Sequence, residues 1–243
     1  MSDRTERYWR RHVWEGVAIV TSILLAFAIE AAWDESKERA EETKVLVALR
    51  SDFEESLRAV DVTLEYYRED RAAVAHAMAA TREEIFAMTP TEASAVVLGF
   101  ANPVTFDPEM ATIKAMVSTG SIGLLRDSEL RRQVSQFESW MEDVQEDVMY
   151  VQDFSKLIWQ REAKLGGPWF NPEVETGQLG RMGELPFIPA ATAVDLQRLL
   201  DDQELVGLAR QNQINAAYYV TELEIIREII VSILDILPAP EDR

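Results

Sequence analysis

The chain has 243 residues, of which 43 are acidic and 24 basic, for a net charge of −19, and it contains no cysteine. So acidic a surface repels phosphate backbones, which excludes nucleic acid as a partner. The absence of thiols excludes disulfides, thiol nucleophiles, iron–sulfur clusters and cysteine-based zinc sites.

Charge is unevenly spread from the start. Residues 1–12 hold Arg4, Arg7, Arg10 and Arg11 against Asp3 and Glu6, and read as a basic cytoplasmic tail. Residues 13–33, VWEGVAIVTSILLAFAIEAAW, read as a transmembrane helix: from Gly16 to Ile29 there is no charge, and only Thr21 and Ser22 are polar. Trp14 and Trp33 flank this core about 28 Å apart on a helix, close to the hydrocarbon thickness, and serve as interface anchors with Arg10 and Arg11.

Ala18, Ser22, Ala26 and Glu30 recur every fourth residue. The first three form a small-residue ridge that lets a second helix approach closely in lipid. The Glu30 carboxylate either snorkels to the interface or meets a donor on a partner. Ala26-Phe27-Ala28 after an Arg-bearing start also fits a cleaved signal peptide, but Glu15 at the start of the apolar run disfavours it. Lysine and arginine counts on the two flanks tie. The compact N-terminal arginines favour a cytoplasmic N-terminus in the bacterial inner membrane, with residues 34–243 on the far side.

That remainder reads as one acidic helical-bundle domain. Between Gly16 and Pro90 lie 73 residues without Gly or Pro, and the pattern predicts one continuous or slightly bent helix to about Met88. Leu46, Phe53, Val60 and Tyr67 recur every seventh residue, and Leu49, Leu57 and Leu64 widen the stripe. A short helix follows from Thr91 to Phe100, with a turn at Asn102-Pro103. Asp107-Pro108-Glu109 reads as the start of another, with Asp as cap, running to Gly120. The Ser- and Gly-bearing run after Val117 lacks phosphate-loop spacing.

Asp127 or Ser128 caps a long helix to about Leu165, with Leu130, Val134, Phe137, Met141, Val144, Val148, Val151, Leu157 and Ile158 on its apolar face. Residues 166–191 form an irregular proline-rich strap whose Trp169, Phe170 and Phe187 are the candidate partner-docking residues. A turn from Ala193 to Leu200 leads to a last helix, from Asp201 or Asp202 to Leu237. The dense face of Ile225, Ile226, Ile229, Ile230, Ile233, Leu234 and Leu237 is expected to be core; the alternative is a seam between copies.

Nothing in the sequence assembles a catalytic or metal centre. His12 and His76 are the only histidines, and neither sits in a Glu-x-x-His pair. Adjacent acids such as Glu41-Glu42, Glu54-Glu55 and Glu83-Glu84 point about 100° apart on a helix and read as solvated faces. Trp140, Met141, Met149, Tyr150 and Trp159 are expected in the core rather than around a cofactor. No cofactor is expected.

The fold expected is therefore all-α: one N-terminal transmembrane helix continuing into a long helix, then an extramembrane antiparallel helical bundle. Two stretches carry a resemblance. RHVWEGVAIVTSILLAFAIEAAWDE, from Arg11, contains an E-G-x-x-I-x-x-S-x-L-L-A-F core, and FDPEMATIKAMVSTGSIGLLRDSELRRQVSQFE runs from Phe106 to Glu138. Together they resemble a family of uncharacterised bacterial single-pass membrane proteins. The resemblance implies architecture only, since the family supplies no catalytic residues. The expected function is non-catalytic: an accessory subunit whose partners are the lipid bilayer and other membrane-protein subunits, for instance of a respiratory or photosynthetic assembly. A sensor or ligand-binding domain and a self-associating scaffold are the alternatives.

Overall fold

A computed structural model describes residues 3–167 and 191–239, with side chains from Ile19 onward. Among the described residues the chain is all-helical: α1 (Asp3–Ala79), α2 (Arg82–Ala87), α3 (Pro90–Phe100), α4 (Ala111–Thr119), α5 (Ser128–Lys164), α6 (Ala193–Leu200) and α7 (Gln203–Ile236), with a 3₁₀ turn at Ser121–Leu124.

With no Gly or Pro to break it, α1 runs 77 residues, about 115 Å of helix. It stops nine residues before the expected Met88 because Thr81 and Glu84 form a capping box. The Glu84 amide donates to the Thr81 hydroxyl at 3.3 Å, and the Thr81 amide donates to the Glu84 carboxylate at 2.7 Å. Thr81 must be extended to cap, so the helix cannot continue through it. Thr89 and Glu92 repeat the device and start α3 at Pro90, one residue before the expected Thr91.

The Asp107-Pro108-Glu109 start is also corrected. Asp107 instead accepts the Thr105 hydroxyl, and α4 begins only at Ala111. Its start is fixed from α1: Asp52 accepts the Thr112 amide at 2.9 Å, and Ser56 the amide of Glu109, just upstream, at 3.0 Å, while the Glu109 carboxylate accepts the Ala111 amide. Gly120, at φ +70, closes α4 in the left-handed region. The expected turn from Ala193 to Leu200 is a helix, capped by a Thr192–Asp195 box. Asp127 and Asp202 cap α5 and α7 as their sequences indicate.

α7 runs antiparallel to both α1 and α5. Arg50 and Arg68 of α1 meet the end and middle of α7, while Gln133 and Ser155 of α5 meet Ser232 and Asn212. Two apolar cores result. The first joins Leu49, Phe53, Val60, Leu64 and Tyr67 of α1 to Phe137 and Val144 of α5 and Tyr219, Ile226, Ile230 and Ile233 of α7. The second joins Val74 and Ala77 to Ile85, Phe100, Leu196, Leu199, Leu205 and Ala209. Gly99 permits the approach of α3 to α1: a Cβ there would stand 2.8 Å from a Val74 methyl and 3.0 Å from the Asp70 carbonyl.

Core assignments on α1 hold, with Leu46 and Leu57 at the margin. On α5 the aromatic and methionine stripe is not core: Met149, Tyr150, Leu157 and Trp159 are exposed, and Trp140 and Met141 half-buried. On α7, Ile230 and Ile233 are fully buried and Ile225 is exposed. The burial of Ile226, Ile230 and Ile233 leaves no continuous isoleucine seam for a second copy.

Candidate membrane and partner-docking surface

Arg10, Arg11, Trp14 and Ala18 all lie on α1, with side chains outside the described residues. Ser22, Ala26, Glu30 and Trp33 lie on the same helix and are exposed. So are Ile19, Val20, Ile23, Leu24, Leu25, Phe27 and Ile29. Successive residues point 100° apart, so this exposure covers every face of the helix. Trp169, Phe170 and Phe187, the expected docking residues, lie outside the described residues.

Among the described residues no helix is long and apolar enough to cross a membrane. Of the segment expected to span, only 19–33 carries described side chains, and Asp34 and Glu35 follow directly.

The bundle begins at once beyond Trp33. Arg126, in the loop before α5, approaches Glu35 at 3.7 Å and Glu42 at 3.3 Å, and its amide donates to Glu42 at 2.8 Å. Glu35 is also bonded by Arg39, which holds its carboxyl below the ordinary range. Eight residues above Glu42, Arg50 donates to the carbonyls of Leu234, Leu237 and Pro238 at 2.6–2.8 Å. These carbonyls form the end of α7, where the orphan acceptors and the negative end of the helix dipole lie. Both contacts pin the base of the bundle to α1.

Between the two cores lies a polar belt that the sequence reading passed over. Asn212 donates to the Phe100 carbonyl and Ser155, Gln213 to the Gly99 carbonyl, and Asn102 to Asp70, so the end of α3 is capped from α7. Burial pushes the Asp70 carboxyl up to about 6. Further along α5, Glu162 is 7 % exposed and one of its oxygens has no hydrogen-bond partner. Its pKa is pushed up to about 7 by burial alone. The available signal was a polar residue on an apolar stripe: Asn212 stands seven residues after Leu205 and Glu162 four after Ile158.

No group of three His, Asp or Glu among the described residues is placed to hold a metal ion. The belt is built from amides, one hydroxyl and a carboxylate whose donors are internal, an arrangement suited to fixing helices. Comparison of the chain with protein-family models, curated proteins and solved structures finds no match.

Proposed function

We propose that the chain is a non-catalytic single-pass membrane protein, an accessory subunit that docks on a larger integral membrane assembly. The observation that carries this reading is the apolar, wholly exposed stretch of α1 from Ile19 to Trp33. Eight large apolar side chains there face solvent at 50–74 % exposure. Such a surface is costly in water and ordinary in lipid. The ridge of Ala18, Ser22 and Ala26 supplies the helix-packing face, and Glu30 a polar contact on it. Residues 34–243 stand on the extracytoplasmic side of the bacterial inner membrane, with the N-terminal arginines inside.

Two experiments test it. Because the native chain has no cysteine, Ser2→Cys and Ser36→Cys report topology cleanly with a membrane-impermeant maleimide on intact spheroplasts. The reading expects labelling at position 36 alone; equal labelling at both positions, with extraction by alkaline carbonate, overturns the span. Native gel separation of mild-detergent extracts then tests docking. Comigration with a defined set of subunits, lost in Ala18→Leu/Ala26→Leu, supports it; migration at one-chain mass rejects it.

A further inference from the structure

Two rows of residues border the outer seam between α5 and α7. On α5, Gln133, Trp140, Asp147, Phe154 and Arg161 recur every seventh residue. On α7, Glu204, Gln211, Tyr218, Ile225 and Ser232 do the same. Residues seven apart share a helix face, and the ends of these rows touch. Gln133 donates to the Ser232 hydroxyl at 3.2 Å, and Arg161 meets Glu204 at 2.8 Å. The residues between line one seam, which runs about 21 Å from Trp140 to Phe154.

This seam is apolar and open. Tyr218 is 67 % exposed, and Ile225, Ile214, Tyr150 and Leu157 are exposed beside it, while Trp140 and Phe154 are half-buried. Apolar surface shared by two adjacent helices marks an interaction site.

The rim of the seam is acidic. Between Arg132 and Lys156, α5 holds six acidic residues and no basic one, and α7 has no basic residue between Arg210 and Arg227. Among the described residues Asp143, Glu146, Asp147 and Glu222 form no ion pair. On the opposite flank of α7, by contrast, Glu224 and Arg227 are bound by Arg68 and Asp61 of α1. Burial, with Glu146 and Asp143 alongside, pushes the Asp147 carboxyl up, a cost that a cation brought to the rim relieves.

Two occupants from the chain itself have the wrong sign. A second copy would bring the same acids to the seam, and residues 168–190 hold Arg181 against Glu173, Glu175 and Glu184.

We propose that the α5–α7 seam docks a basic amphipathic helix of a partner protein. The apolar stripe of that helix lies along Tyr218, Ile225 and Phe154, as a helix fits the groove between two others. Lysine or arginine on its edges meets Asp143, Asp147 and Glu222. The surface belongs to the bundle whether or not α1 crosses a bilayer; that the helix comes from a host subunit rests on the accessory-subunit reading.

The test titrates the full chain in non-ionic detergent, by calorimetry, with three peptides of about 15 residues, the length of the seam. One is a leucine–lysine amphipathic helix, one replaces its lysines by glutamate, and one shuffles the first so that the leucines share no face. The expected result is binding of the first at least about tenfold tighter than the others, weakened about fivefold or more between about 50 and about 500 mM salt. Tyr218→Ser/Ile225→Ser and Asp143→Lys/Asp147→Lys each weaken it about tenfold, without lowering the melting temperature. Val47→Ser, at an exposed position of α1, binds as wild type does. Absence of binding, equal binding of the lysine and glutamate peptides, or wild-type affinity in both seam variants overturns the proposal. A chain that comigrates with a host yet binds no peptide loses the seam alone; one that binds the peptide yet runs at one-chain mass loses only the host.

Discussion

Tyr67 of α1 and Tyr219 of α7 meet edge to face with ring centroids 5.3 Å apart, and both phenols grip the same loop. Tyr67 donates to the Val104 carbonyl and Tyr219 accepts the Phe106 amide, each at 2.9 Å. The loop between α3 and α4 is thus held by the two helices it crosses. Burial pushes both phenols well above the ordinary tyrosine range, so they stay neutral donors and acceptors.

Tyr219→Phe keeps the ring contact and leaves the buried Phe106 amide without an acceptor. The expected loss is about 1–3 kcal/mol, measured by urea unfolding of the full chain in detergent. Tyr67→Phe frees only one lone pair of a carbonyl and is expected to cost less. Equal stability of Tyr219→Phe and wild type would show that water replaces the phenol.

Stability should fall as pH rises from about 4 to 7. Asp70 and Glu162 have folded pKa values of about 6 and about 7, above their ordinary values of 3.8 and 4.5. The folded state therefore binds more protons than the unfolded state across that interval. Their contribution is complete below about pH 4 and lost as pH passes through 6 and 7, at roughly 2–3 kcal/mol each. Among the described residues no cation opposes this at Glu162: Arg161 is held by Asp202 and Glu204, and Arg198 by Asp195 and the Leu165 carbonyl. Below pH 4 the trend reverses, because Glu35, Glu84, Glu92, Glu129 and Asp202 have lowered values and lose their bonds on protonation. Melting temperature against pH should peak near 4, and Glu162→Gln should flatten the alkaline side.

Arg50→Ala removes three hydrogen bonds to the end of α7. The expected cost is about 2–3 kcal/mol, more than an exposed ion pair gives. Hydrogen exchange should rise first in the last turns of α7. Uniform exchange along α7 would mean that the helix end is held by packing alone.

Thr81→Ala deletes the capping box at the start of α2. A loss of about 1 kcal/mol is expected by chemical denaturation. Thr89→Ala should match it, since the two boxes share geometry and exposure. A cost confined to one of them would locate the constraint in packing around Ile85 rather than in the cap.

How much of this was legible follows from where each constraint lies along the chain. α5 and α7 could be read because their caps, Asp127 and Asp202, are local, as is the glycine pair after Leu165. The α1 stripe of Leu49, Phe53, Val60 and Tyr67 was legible because one period persists through it. The start of α4 was not: the Thr112 and Glu109 amides that set it are satisfied by Asp52 and Ser56, more than fifty residues upstream in sequence. The end of α1 was marked by a local Thr-x-x-Glu signal that the lack of Gly and Pro concealed. Trp159 and Leu157 were misplaced because they flank Ile158, which points straight into the core, and so lie about 100° to either side of it, on the exposed flanks of α5. The polar belt stayed hidden because its partners come from four helices.

The length of α1 also fixes an angle. One unbroken helix carries both the Ser22–Ala26–Glu30 edge and the Glu35–Glu42 edge that Arg126 grips. Their relative azimuth is therefore set by residue count alone, with no joint to absorb an error. Inserting a single alanine between Trp33 and Glu35 would turn the whole bundle about 100° around the helix axis and lift it about 1.5 Å. Any neighbour that grips both edges reads this phase, and four inserted residues should come close to restoring what one destroys.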